Sequence, residues 1–274
     1  MTSFFKRNNQ SQFETMGVSI IQLTKLFIAS LSKPEQLTAA ATLKKGKVFL
    51  YFLFIAFISA IPAFLQSYQL LTDFNRDGQT IISEMPEFSI KNGEFITDEP
   101  IDSFSKKTHS INFVFDPEGT KPELEEDLSE NLVGIGFLKD GLHFNNASQP
   151  ISLTYQQMDG LSKEFFVNIL ASMQRMTGFI LVIAFLLMLL LSLFLTLLFN
   201  FLYTVFANLV TALTRRRLPF SHVFKMTLFA STLPTIIFTL FNLFGLRIAY
   251  QTELSLIVTV YLYYLALRTL PKPE

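Results

Sequence analysis

Between Arg175 and Arg215 the chain carries no charged residue: Met176 to Thr214 is a run of 39 uncharged residues. As one α-helix at 1.5 Å per residue this is roughly 58 Å, against a bilayer hydrocarbon core of about 30 Å. Val48–Thr72 and Met226–Leu246 are also free of charge. A buried helix of a soluble protein seldom runs so long without a charge, so these stretches read as membrane-crossing helices. Two passes through 176–214 need a turn, and no Gly, Pro or charge lies near the middle, only Asn200. Two passes also put Arg215, Arg216 and Arg217 outside, against the tendency of Lys and Arg to stay on the cytoplasmic side. The run therefore reads as one pass, with Asn200 to Thr214 bending along the inner surface or entering the cytoplasm. Two short passes are the alternative.

The net charge is zero, but the charges are segregated. Residues 1–47 hold seven Lys/Arg and two acids, residues 69–165 hold seven and eighteen, and residues 166–274 hold eight and two. With the positive-inside tendency, this gives an α-helical membrane bundle of about four transmembrane helices with an inserted extracytoplasmic α+β domain. Residues 1–47 form a basic cytoplasmic or interfacial region and 48–68 the first crossing. Residues 69–170 form the outer domain, 171–214 the long second crossing and 215–223 a basic cytoplasmic loop. Crossings at 224–245 and 250–268 follow, then a cytoplasmic tail at 269–274. Both termini are expected inside; Arg247, on the outer side, argues against this and is outweighed by the three arginines. Nearly fifty residues precede the first apolar run, unlike an ordinary signal peptide, so the first helix is expected to remain as an anchor. Within 1–47, Phe13, Met16, Ile20, Leu23, Phe27 and Leu31 recur at helical spacing. This helix either packs against the bundle or lies in the lipid interface. Pro34 stops it. Pro62 and Pro234 are tolerable inside membrane helices.

Residues 69–170 have the grammar of strands and turns. In "FSIKNGEFI" Asn92 and Gly93 suit a two-residue hairpin turn that needs positive φ at both positions. "SINFVFDPEG" is a strand ending in a turn with Pro117 second and Gly119 fourth. "PELEEDLSEN" reads as a short acidic helix. "LVGIGFLKDGLHF" is a second hairpin around Asp140–Gly141, and "ISLTYQ" is one more strand. Five or six short strands and a helix make a domain of about 90 residues, enough for a modest core.

No motif announces a chemistry. The absence of cysteine excludes disulfides, thiolate metal ligands and a cysteine nucleophile. There is no paired-histidine zinc motif, no phosphate-binding glycine loop and no nucleophile elbow. No catalytic, metal or cofactor-binding residue is assigned, no cofactor is expected, and no nucleic-acid partner is expected. His109 and His143 together fall short of the three or four ligands a metal site needs. Asn200, Asn208 and Asn242 are explained by helix-to-helix hydrogen bonding. Arg215, Arg216 and Arg217 are the candidates for contact with anionic lipid head groups, while topology alone also explains them.

Four stretches together carry a resemblance: "LSKPEQLTAAATLKKGKVFLYFLF", "MPEFSIKNGEFITDEP", "INFVFDPEGT" and "VGIGFLKDGLHFNNASQPISLTYQQMDGLSKEFF". The chain resembles, over nearly its whole length, a membrane family of Gram-positive bacteria known as domain of unknown function 1189. One branch is labelled maltodextrose utilization protein, from association with maltodextrin uptake genes. The resemblance implies no catalytic or ligand residue. The expected role is a non-enzymatic accessory, sensor or assembly partner of an envelope system. Its partners are the lipid bilayer and a membrane protein such as a sugar ABC transporter. A permease-like transport component is the alternative, and an enzyme with its site in the outer domain is a third class.

Overall fold

The computed structural model describes residues 21–97, 102–121, 128, 133–146, 150–246 and 248–271. Six α-helices and seven strands are placed among these residues. Helix α1 is described over Ile21–Ser32, and a 3-10 segment follows at Pro34–Thr42. Then come α2 (Lys45–Glu84), α3 (Lys163–Leu213), α4 (Phe220–Ala230), α5 (Thr232–Leu243) and α6 (Gln251–Arg268). The strands are β1 (Phe88–Lys91), β2 (Glu94–Thr97), β3 (Phe104–Lys107), β4 (Ile111–Phe115), β5 (Val133–Leu138), β6 (Gly141–Asn146) and β7 (Pro150–Leu153). The chain divides into two compact units, residues 66–184 and residues 1–65 with 185–274; α2 and α3 contribute to both.

Three stretches are long and apolar enough to cross a membrane: α2, α3, and α4–α5 taken together over Phe220–Leu243. The expected third crossing is thus two helices parted at Ser231. The fourth expected crossing, α6, is helical over 18 residues but is not among the three. Gln251, Thr252, Glu253 and Ser255 dilute its apolar character. The helix containing 48–68 does not end there. It runs to Glu84, because Phe74, Ile81 and Met85 supply an apolar stripe that the sheet unit buries. The 39-residue run, but for its last residue Thr214, lies in a single helix of 51 residues with no break at Asn200. A continuous helix leaves no turn for a second pass.

In the unit of residues 66–184, β3-β4-β5-β6-β7 form one sheet and β1-β2 a separate hairpin. Asn92 and Gly93 adopt φ of 54° and 76°, as that turn requires. The Asp116 turn closes with the Gly119 amide donating to the Asp116 carbonyl at 3.1 Å. Strand β4 pairs parallel with β5 and is buried throughout, Asn112 among its apolar residues included. The second hairpin differs from expectation. Leu138 pairs with Gly141, so the loop residues are Lys139 and Asp140. Gly141 is required for a different reason: a Cβ there would sit 2.1 Å from the Leu153 carbonyl oxygen. Strand β3 ("FSKK") raises the strand count to seven; its Ser and Lys gave no strand signal. Apart from Leu128, residues 122–130 of the acidic stretch lie outside the described residues. The core is a phenylalanine cluster in which Phe137 contacts Phe88, Phe95, Phe113, Phe115 and Phe166.

In the other unit, Leu23 and Leu26 of α1 join the core with Leu37 and Ala40 of the 3-10 segment. Of the expected face, Leu23 is buried and Phe27 packs partly buried against the core, Leu31 is exposed, and Leu26, Ala29 and Ser30 are buried beside them. Ile21 and Ile28 stay exposed, and residues 13–20 lie outside the described residues. The 3-10 segment packs against α4 and α6. Tyr51 stacks on Phe229 at 3.8 Å between centroids and shares a 2.6 Å hydrogen bond with Thr232.

Two glycines separate close packing from open space. A Cβ on Gly134 would lie 2.2 Å from the Leu128 carbonyl oxygen, whereas one on Gly46 meets nothing within 4 Å. Gly134→Ala is expected to cost about 2 kcal/mol or more, and Gly46→Ala to stay within about 0.5 kcal/mol. Thermal unfolding of the two purified variants checks this contrast.

Candidate functional site

A cavity of 280 Å³ opens between α2, α3, α5 and α6, within the unit of residues 1–65 and 185–274. Helix α3 lines it with Ser192, Thr196, Asn200 and Tyr203, one stripe at helical spacing. Helix α5 adds Thr235, Thr239 and Asn242, and α6 adds Gln251, Thr252 and Ser255. Among the described residues no Lys, Arg, His, Asp or Glu lines it. Part of this polarity is structural: Ser192 donates to the Ala56 carbonyl at 2.6 Å. Asn200 is different. It is 1% exposed, and its Nδ2 donates to the Phe224 carbonyl at 3.3 Å. Its Oδ1 is buried without a protein partner. Such an unpaired group costs about 1–3 kcal/mol, so a hydrogen-bond donor reaching Asn200 is favoured. The chemistry fits an uncharged molecule bearing hydroxyl or amide groups. The sequence reading absorbed Asn200 and Asn242 into helix packing, although the spacing of residues 192, 196, 200 and 203 was the available signal. Asn208 is exposed.

The three arginines part company in the structure. Arg216 donates to the Leu267 carbonyl and, at 3.1 Å, to the Arg268 carbonyl. These carbonyls lie at the end of α6, where a cation suits the helix dipole. Arg215 and Arg217 are exposed. Lys225 plays the same part elsewhere, donating to the carbonyls of Ala41 at 3.1 Å and Leu43 at 2.6 Å at the end of the 3-10 segment.

In the sheet unit the buried carboxylates are saturated by their own neighbours. Asp116 is 1% exposed and accepts from the Ser103 hydroxyl. It also accepts from the amides of Thr120 at 2.8 Å and Lys121 at 3.0 Å. Burial alone raises its pKa; the bonds from Ser103, Lys121 and Thr120 outweigh this and hold it below the usual carboxylate value. Asp77 accepts from both the amide and the hydroxyl of Ser110 at 2.7 Å. There too burial acts upward, and the Ser110 bonds prevail and lower the pKa. Tyr155 donates to the Leu138 carbonyl, and burial, with Asp140 and Asp116 nearby, pushes its pKa up.

The histidines are not brought together. His109 lies 3.9 Å from Asp73. His143 takes Asp140 at 2.8 Å on Nε2 and Ser152 at 3.1 Å on Nδ1. This Ser–His–Asp chain was not foreseen. It stands on the sheet surface with the Asp140 side chain 73% exposed, where water weakens such electrostatics. Among the described residues no group of three or more His, Cys, Asp or Glu is placed to hold a metal ion.

A family model described as "Protein of unknown function (DUF1189)" matches residues 24–267. No curated protein and no solved structure matches the chain.

Arg216→Ala is expected to lower stability by about 1 kcal/mol, and Arg215→Ala or Arg217→Ala by no more than about 0.5 kcal/mol, read as shifts in thermal midpoint. The lowered pKa of Asp116 sets the sign of a pH effect. Its stabilisation is complete above the unfolded value of about 3.9 and is lost as pH falls through the lower folded value. Asp116→Asn should flatten that acid-side loss and cost on the order of 2 kcal/mol at neutral pH, since an amide NH2 then faces amide donors. Unfolding midpoints from neutral pH down to about 3 test both effects.

Proposed function

The chain belongs to the family of that description, and we propose that it is a multi-pass protein of the cell membrane, serving as a non-enzymatic accessory, sensor or assembly partner of an envelope system. In this reading α2, α3, α4–α5 and α6 cross the bilayer, both termini are cytoplasmic, and residues 69–170 lie outside. The observation that carries it is the surface of α3. Its most apolar window has a mean hydropathy of 3.1 with only 6% of that window buried. Phe179, Leu187, Leu190 and Phe194 are each more than 60% exposed. An apolar surface this continuous calls for lipid or a membrane partner. Arg215 and Arg217 are then free to meet anionic head groups, with Arg216 engaged on α6. The non-enzymatic part is supported by the saturation of Asp77 and Asp116 and by the neutrality of the bundle cavity. Maltodextrin uptake is the candidate system, on the label of one family branch.

A permease-like component is the second reading, and the cavity favours it: neutral hydroxyls and amides between four helices suit an uncharged polar solute. Photo-crosslinkers placed in the sheet unit and at Arg217 in cells should capture one transporter or envelope protein repeatedly. Capture of nothing but the chain itself, together with maltodextrin flux into vesicles holding only this protein, would replace the accessory reading with the permease.

A further inference from the structure

We propose that the sheet unit admits the acyl chain of a bilayer phospholipid into an apolar channel between α2 and α3; this rests on the membrane reading above. Two cavities of 330 and 230 Å³ lie wholly within residues 66–184 and share Phe74 as a lining residue. The near cavity is walled by Leu70 and Leu71 of α2 and by Ile180, Leu181 and Ala184 of α3. The far cavity continues past Gly78 and Ile82 to Phe144 and Ile135, on the sheet. Met85 and Met173 also line it, and flexible thioether side chains adapt to a chain of variable shape.

Three observations select the occupant. The near cavity's walls are apolar but for Ser67 and Ser110, and the Ser110 hydroxyl is already given to Asp77 at 2.7 Å. The near-end residues 67–71 and 180–184 belong to the charge-free runs 48–72 and 176–214, so the channel starts where lipid chains are the surrounding medium. Every residue lining the far cavity is apolar, from Phe74, Ile81 and Ile82 of α2 to Phe166, Leu170 and Met173 of α3, which suits a hydrocarbon chain. At 1.5 Å per residue, Ile82 stands about 15 Å along α2 beyond Thr72, the last residue of its charge-free run.

The chain has no tryptophan, so a single introduced one is an unambiguous reporter. Phe144→Trp places it at the far cavity, and Leu187→Trp places it on α3 at a position 62% exposed. The full-length variants are reconstituted into vesicles of dibromostearoyl phosphatidylglycerol, and their emission is compared with that in dioleoyl phosphatidylglycerol. The proposal expects both tryptophans to lose most of their emission in the brominated lipid. Quenching of Leu187→Trp without quenching of Phe144→Trp overturns the channel and leaves the membrane reading standing. Quenching of neither overturns the membrane reading and the channel with it. Should Phe144→Trp fail to fold, Ile82→Trp, in the same cavity on α2, carries the same two outcomes.

Discussion

Backbone amides and carbonyls carried into an apolar medium must find their partners inside the protein, and α3 meets this demand by remaining helical without interruption from Lys163 to Leu213. That continuity allows a chain segment with almost no polar side chains to be structured at all. Each i to i−4 bond serves the backbone, and Leu and Phe are left facing outward. The consequence reaches both units, since the first turns of α3 contribute Phe166 to the sheet core and its later turns contribute Ala207 to the bundle core.

Polar groups elsewhere follow the same rule. In the helical unit, hydroxyls pair across helices, as in Thr204 with Thr227 at 2.8 Å and Thr211 with Tyr263. Two cations, Arg216 and Lys225, donate to carbonyls at helical ends. In the sheet unit Asp77 and Asp116 each gather neighbouring amides and hydroxyls. Three buried oxygens depart from that rule, Asn75 Oδ1, Thr259 Oγ1 and Asn200 Oδ1, and of these Asn200 lines the bundle cavity.

Much of the fold was legible because local chemistry and tertiary context agree. Asn92–Gly93 could only be a tight turn, Pro34 had to end α1, and "INFVF" had to be a buried strand. Expectation failed where a distant contact decides. Gly141 looked like a turn residue, yet the Leu153 carbonyl is what demands glycine. Residues 69–84 looked like domain sequence, yet their apolar stripe extends α2 because the sheet is there to cover it. "FSKK" becomes β3 only because β4 offers an edge. Of the site, the arginine run was visible, but Arg216's engagement with the end of α6 depends on a contact 51 residues away. The polar stripe of α3 was visible as spacing and became a cavity only when α5 and α6 turned their own hydroxyls and amides toward it.

The central claim is that α3 crosses a bilayer once and so separates the sheet unit from the arginine loop. The chain contains no cysteine, so single cysteines report on sidedness directly. Glu94→Cys and Arg217→Cys, both at exposed positions, are treated with a membrane-impermeant maleimide in intact cells and after lysis. The account predicts that Glu94→Cys is labelled in intact cells and Arg217→Cys only after lysis. Labelling of both from the same side would contradict it.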